Sequence, residues 1–154
     1  MLTEKEIEEI KEEVKHYPYP GVACLDALKI VQSYRGWVDD EAVKDIAALL
    51  EISAEKVDGV ATFYSRIYRK PVGRHVILIC DSISCMIMGY KSVFDYISGK
   101  LSIGFGETTA DKRFTLLPIT CLGNCDQAPT MMIDNDMFDK VSIENIDHLL
   151  DNYR

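Results

Sequence analysis

The chain has 154 residues, 47% of them apolar and 27% charged, with a formal net charge of −8. That size and balance fit one globular domain, or a compact domain with an appendage, that buries a core of its own. The acidic balance argues against nucleic acid as the main partner, because that binding depends on neutralising phosphates, and no apolar run reaches the roughly 18 to 20 residues needed to cross a bilayer.

The start, Met1-Leu2-Thr3-Glu4-Lys5-Glu6, is charged and has no apolar stretch of signal-peptide type, so the expectation is a cytoplasmic chain without direct membrane insertion. Thr3 to Glu6 has the capping-box form, and Ile7, Ile10 and Val14 follow at helical spacing, which predicts a first helix to about His16. Tyr17-Pro18-Tyr19-Pro20-Gly21 ends it. A second helix should carry Val22, Leu25, Leu28 and Val31 on one face and stop at Gly36. Asp39 or Asp40 can cap a third with Val43, Ile46, Leu49 and Leu50 inside, and Ser53 a fourth in which Val57, Val60, Ala61 and Tyr64 face one way. The spacing therefore predicts a helical bundle over residues 1–70. Arg66, Arg69, Lys70 and Arg74 form a basic stripe that reads as a solvated linker or a docking surface.

Past Pro71 and Gly73 the periodicity changes. Val76 to Cys80 reads as a buried strand, and Val93, Tyr96 and Ile97 give an apolar face to a helix near Met88 to Leu101. Gly104 and Gly106 loosen the connection to a second strand, Phe114 to Thr120. Thr130 to Ile133 and Met137 to Val141 flank the turn Asp134-Asn135-Asp136 as a hairpin, and Ser142 can cap a last helix with Ile143, Ile146, Leu149 and Leu150. Strand, helix, strand, hairpin and helix over residues 71–154 give an α+β fold of thioredoxin-like type behind the bundle.

The chemistry lies with four cysteines, Cys80-x4-Cys85 and Cys121-x3-Cys125, each pair placed on a loop after a strand. In a reducing compartment such grouping favours a metal over disulfides. Structural zinc usually takes at least one C-x2-C knuckle, which is absent, whereas a [2Fe-2S] cluster has two irons that each need two sulfurs and accepts longer loops. The spacing favours the cluster, with a zinc-stabilised interaction module as the alternative. The plant-type ferredoxin spacing and the thioredoxin C-x-x-C are both missing.

Two ferric ions, two sulfides and four thiolates sum to two negative charges, and one-electron reduction adds a third, so the potential should be low. Asp81 and Asp126, each next to a candidate ligand, would lower it further. One carboxylate at roughly 7 Å and an effective dielectric of about 20 contributes on the order of 2 kcal/mol before screening. Backbone N–H groups of Ser82 to Ser84 and Leu122 to Asn124 should oppose this, with Gly123 free to turn them inward. Cys24 reads as a buried apolar thiol, and His16, His75 and His148 pair with no cysteine motif. Gly104-x-Gly106 lacks the rest of a dinucleotide fingerprint, and no NADH or flavin motif is present.

Cys80-Asp81-Ser82-Ile83-Ser84-Cys85, Cys121-Leu122-Gly123-Asn124-Cys125 with Pro129 after it, Val57-Asp58-Gly59-Val60-Ala61-Thr62-Phe63-Tyr64 and Arg35-Gly36-Trp37-Val38 together resemble the family of thioredoxin-like [2Fe-2S] subunits of bacterial NADH:quinone oxidoreductase, complex I. The resemblance implies that Cys80, Cys85, Cys121 and Cys125 ligate one [2Fe-2S] cluster. It implies packing against a flavin-bearing, NADH-binding subunit among the other peripheral-arm subunits, with FMN and NADH on that partner. The complex would hold the chain at the cytoplasmic face of the inner membrane. A diaphorase subunit of a soluble NAD-linked hydrogenase or formate dehydrogenase shares the cysteine pattern and is the alternative within the resemblance.

Overall fold

The structure, a computed structural model, describes residues 1–153. The chain divides into two compact units, one of residues Met1 to Pro71 and one from Val72 onward.

The first unit is all helical: α1 (Glu4–Val14), α2 (Cys24–Arg35), α3 (Asp40–Leu49) and α4 (Ala54–Phe63), with a 3-10 turn (Pro20–Ala23) leading into α2. Local chemistry sets the boundaries. The Glu6 N–H donates to Thr3 Oγ1 while Glu6 Oε2 accepts the Thr3 N–H, so the capping box at α1 is complete. Asp39 caps α3 by accepting the Ala42 N–H, and Ser53 caps α4 by accepting that of Lys56. Gly36 ends α2 in the left-handed region at φ 80°, which a side chain would strain. Ile10, Leu28, Val31, Ile46, Leu50, Val57 and Ala61 form the core.

Two expected core positions fall outside it. Val22 sits in the 3-10 turn that Pro20 starts and is exposed, because the helix begins only at Cys24. Tyr64 adopts an extended conformation as the C-cap of α4, so its side chain leaves the helical face and is also exposed. The basic stripe is in part an internal clamp. Arg69 donates to the Val38 carbonyl, to Asp40 (2.6 Å) and to Asp58 (3.0 Å), fastening the segment after α4 to the end of α2 and the start of α3.

The second unit carries a four-stranded sheet in the order β2-β1-β3-β4: β1 (His75–Cys80), β2 (Phe114–Ile119), β3 (Met131–Ile133) and β4 (Asp136–Phe138). β1 and β2 are parallel, in a register that sets Cys80 beside Ile119, and β3 runs antiparallel to β1 with Ile79 beside Met131. The C-terminal ends of β1 and β2 and the start of β3 thus lie at one edge of the sheet. α6 (Tyr90–Leu101) connects β1 to β2, and α7 (Ile143–Asp151) follows the hairpin. Val93 and Ile97 of α6 and Ile146 and Leu150 of α7 pack with Ile77, Ile79, Phe114, Leu116, Met131 and Ile133. Val76 and Leu78, on the other face of β1, are buried too, as expected of a central strand with both faces covered. Ile143 is exposed in the first turn of α7, and β4 ends at Phe138, short of Val141.

An unforeseen ion pair ties the helical unit together. Glu6 is 1% exposed and accepts from Arg35 Nε at 2.6 Å and Nη2 at 2.7 Å, which holds its carboxyl down to about 2. A carboxylate with a depressed folded-state pKa stabilises fully above its ordinary pKa and loses that contribution as pH falls toward the folded value. Glu6→Gln should therefore cost the helical unit about 3 kcal/mol near neutral pH. It should also flatten the acid side of its stability curve between about pH 5 and pH 2, measured by circular dichroism in urea.

Candidate functional site

The parallel register of β1 and β2 decides where the sulfurs go. β1 ends on Cys80 and β2 on Ile119, its in-register partner, and the Asp81 N–H donates to the Ile119 carbonyl at 3.0 Å, fastening the two strand ends together. Cys121 emerges two residues later beside the same edge. Cys85 does not lie on a loop, as its spacing suggested. It sits in a short helix, α5 (Ile83–Ile87), which begins after Ser82 and turns the Cys85 side chain inward to 1% exposure. Cys125 opens a 3-10 turn (Cys125–Gln127).

The four thiols come as two pairs of different character. Cys80 and Cys85 are buried and neighbour one another, packed with Ala128 and with the half-buried Tyr90, Ile119 and Leu122. Cys121 and Cys125 are exposed, with their sulfurs 3.8 Å apart. Two thiolates bound to one tetrahedral metal ion at about 2.3 Å are separated by about 3.8 Å, so that spacing already matches a shared iron. Among the described residues no three His, Cys, Asp or Glu side chains are grouped around one point. A two-iron centre asks for pairs, two sulfurs to each iron, and this donor set fits it.

Backbone N–H groups point at the sulfurs. That of Gly123 donates to Cys121 Sγ at 3.3 Å, with Gly123 in the left-handed region at φ 79°. Burial raises the Cys80 thiol pKa, but the N–H groups of Ser82 and Leu122 and contacts from Cys85 and Thr130 outweigh it, and the net shift is downward. Burial pushes Cys85 up, assisted by the charge on Cys80, and Cys125 is raised by its bond to Cys121. In the buried pair, then, Cys80 ionises at the expense of Cys85, and a cation between them is what would let both be thiolates. The Ser84 side chain, on α5, works against that upward shift of Cys125.

Neither Ser84 nor Thr130 stood out in the sequence. Thr130 is buried at 2% exposure with its hydroxyl 3.6 Å from Cys85 Sγ. The one available signal was a hydroxyl at the head of an apolar strand, directly after Pro129. Asp81 is half-buried and Asp126 exposed, and the charge of Asp81 raises the pKa of Tyr90 after burial has done so. Cys24 is buried in the helical unit, where burial raises its thiol. His75 lies at the far end of β1 from Cys80, its Nδ1 2.7 Å from Asp134, and Asp134 also accepts the Val76 N–H.

A family model for thioredoxin-like [2Fe-2S] ferredoxins matches residues 10–154, and the chain belongs to that family. Its cofactor is accordingly one [2Fe-2S] cluster. Over 153 residues the chain is 52% identical to the E subunit of the NADH-quinone oxidoreductase of Pseudomonas aeruginosa, and equally to that of Escherichia coli, covering 99% of this chain and 92% of each relative. An NAD+-reducing [NiFe]-hydrogenase superposes with a TM-score of 0.71 at 23% identity, over 85% of this chain and 22% of the hydrogenase chain, a likeness of fold.

Gly123→Ala adds a Cβ that meets nothing within 4 Å, so its cost is conformational, about 1 kcal/mol for a side chain in the left-handed region. Relaxing that strain would turn the N–H away from Cys121. The variant should lose about that much stability in a thermal melt, with a changed visible spectrum of the cluster-bearing protein.

Proposed function

We propose that this chain is the [2Fe-2S] electron-transfer subunit of a respiratory NADH:quinone oxidoreductase, with Cys80, Cys85, Cys121 and Cys125 as the ligands. The observation that carries this is the convergence of two thiol pairs at one sheet edge, one pair already at the 3.8 Å spacing of a shared tetrahedral iron, in a chain 52% identical along its length to relatives named as that subunit. When bound, the cluster supplies a site for one electron at a time.

The chain's own residues set how that site behaves. β1, β2 and α5 position the sulfurs at one end of the sheet. Ala128, Tyr90, Ile119 and Leu122 shield the Cys80–Cys85 side from water. The N–H groups of Ser82, Leu122 and Gly123 stabilise negative charge on sulfur and oppose the nearby Asp81 and Asp126. α5 turns Ile83, Met86, Ile87 and Met88 outward, and Ile87 is 76% exposed, an apolar rim of the kind that a partner subunit covers. The partner in this proposal is the flavin-bearing, NADH-binding subunit of the peripheral arm, at the cytoplasmic face of the membrane. Among the described residues no helix is long and apolar enough to cross a membrane, in keeping with attachment through the complex.

Iron and sulfide analysis should find two of each per chain, with a red-brown colour that dithionite bleaches to a reduced-state EPR signal. Serine at Cys80, Cys85, Cys121 or Cys125 should abolish or distort that signal, and Cys24→Ser should leave it unchanged. One zinc in a colourless protein would overturn the assignment.

A further inference from the structure

Three polar side chains in the described residues are buried: Glu6, Thr115 and Thr130. Two have ordinary structural partners. Glu6 is paired with Arg35, and the Thr115 hydroxyl accepts the Gly73 N–H at 2.6 Å and shares a bond with the Thr108 hydroxyl at 2.7 Å. The partner of the Thr130 side chain is of another kind. Its hydroxyl lies 3.6 Å from Cys85 Sγ, and no other hydrogen bond of it is found among the described residues. A buried hydroxyl is costly unless hydrogen-bonded, so sulfur is where this proton goes.

The backbone of Thr130 is tied to the neighbouring ligand: its carbonyl accepts the Cys80 N–H at 3.2 Å. The antiparallel pairing of β3 with β1 fixes that contact, because Met131 sits beside Ile79 and Thr130 therefore falls beside Cys80. Thr130 is held by the sheet, and its hydroxyl has no freedom to look elsewhere.

We propose that the Thr130 hydroxyl donates a hydrogen bond to the thiolate of Cys85 and thereby raises the reduction potential of the bound cluster. This rests on the assignment of the four cysteines as ligands. A donor to sulfur gains strength as charge on sulfur grows, so it stabilises the reduced cluster more than the oxidised one. Burial magnifies the difference, since no water is at hand to replace the donor. Thr130 is a positioning residue in this scheme: it touches a ligand, and its effect is on the equilibrium of electron uptake.

Thr130→Val keeps the shape of the side chain and removes the proton. In a potentiometric titration of the full-length, cluster-bearing chain followed by EPR, the valine variant should show a ratio of reduced to oxidised cluster about tenfold lower at the wild-type midpoint. For a one-electron couple that is a midpoint about 59 mV more negative. Thr130→Ser restores a donor and should return the midpoint to that of the wild type, while Thr130→Ala should fall with valine. A wild-type midpoint in the valine variant, or equal midpoints for the serine and alanine variants, would overturn the proposal. A wild-type chain without an iron–sulfur chromophore would instead overturn the ligand assignment.

Discussion

Two thiolates 3.8 Å apart, as the sulfurs of Cys121 and Cys125 are, repel each other by about 4 kcal/mol at an effective dielectric of 20, and the second unit brings a second, buried pair of thiols to the same edge of its sheet. The conflict shows in the buried pair, where the charge on Cys80 helps push the Cys85 thiol up. A cationic centre removes that conflict. The arrangement is therefore stable as a set of charges only when filled, and the surrounding structure keeps the sulfurs from separating to relieve the repulsion.

What keeps them in place is mostly backbone. Parallel pairing of β1 with β2 makes the two strands end together, and the bond from the Asp81 N–H to Ile119 closes the gap beyond the last ladder position. The two pairs are then treated differently. Cys80 and Cys85 lie in an apolar pocket with N–H groups and one hydroxyl aimed at them, while Cys121 and Cys125 face outward on a turn that Gly123 permits. A thioredoxin-like sheet thus serves as a clamp with one dry jaw and one wet one.

Much of this was readable from residue order. Short apolar runs placed the strands and period-3.6 patterns the major helices, and Thr3, Asp39, Ser53 and Gly36 marked boundaries because capping is local chemistry that a short window contains. Val22 and Tyr64 were misplaced because an apolar residue next to a helix end looks the same in sequence whether or not the helix reaches it. The Glu6–Arg35 pair, the reach of Arg69 to Val38 and Asp40, and the Thr130 hydroxyl were hidden for another reason: each joins positions 29 or more apart, and their partners become neighbours only after packing. α5 was concealed by its brevity, five residues that carry no full period.

The division into two cores has a practical side. Trp37, the chain's one tryptophan, belongs to the helical unit, whereas the visible absorbance of an iron–sulfur centre would report on the unit from Val72 onward. Emission and colour are therefore independent witnesses to denaturation. Their midpoints need not coincide, and a single melting temperature taken from either describes half a molecule.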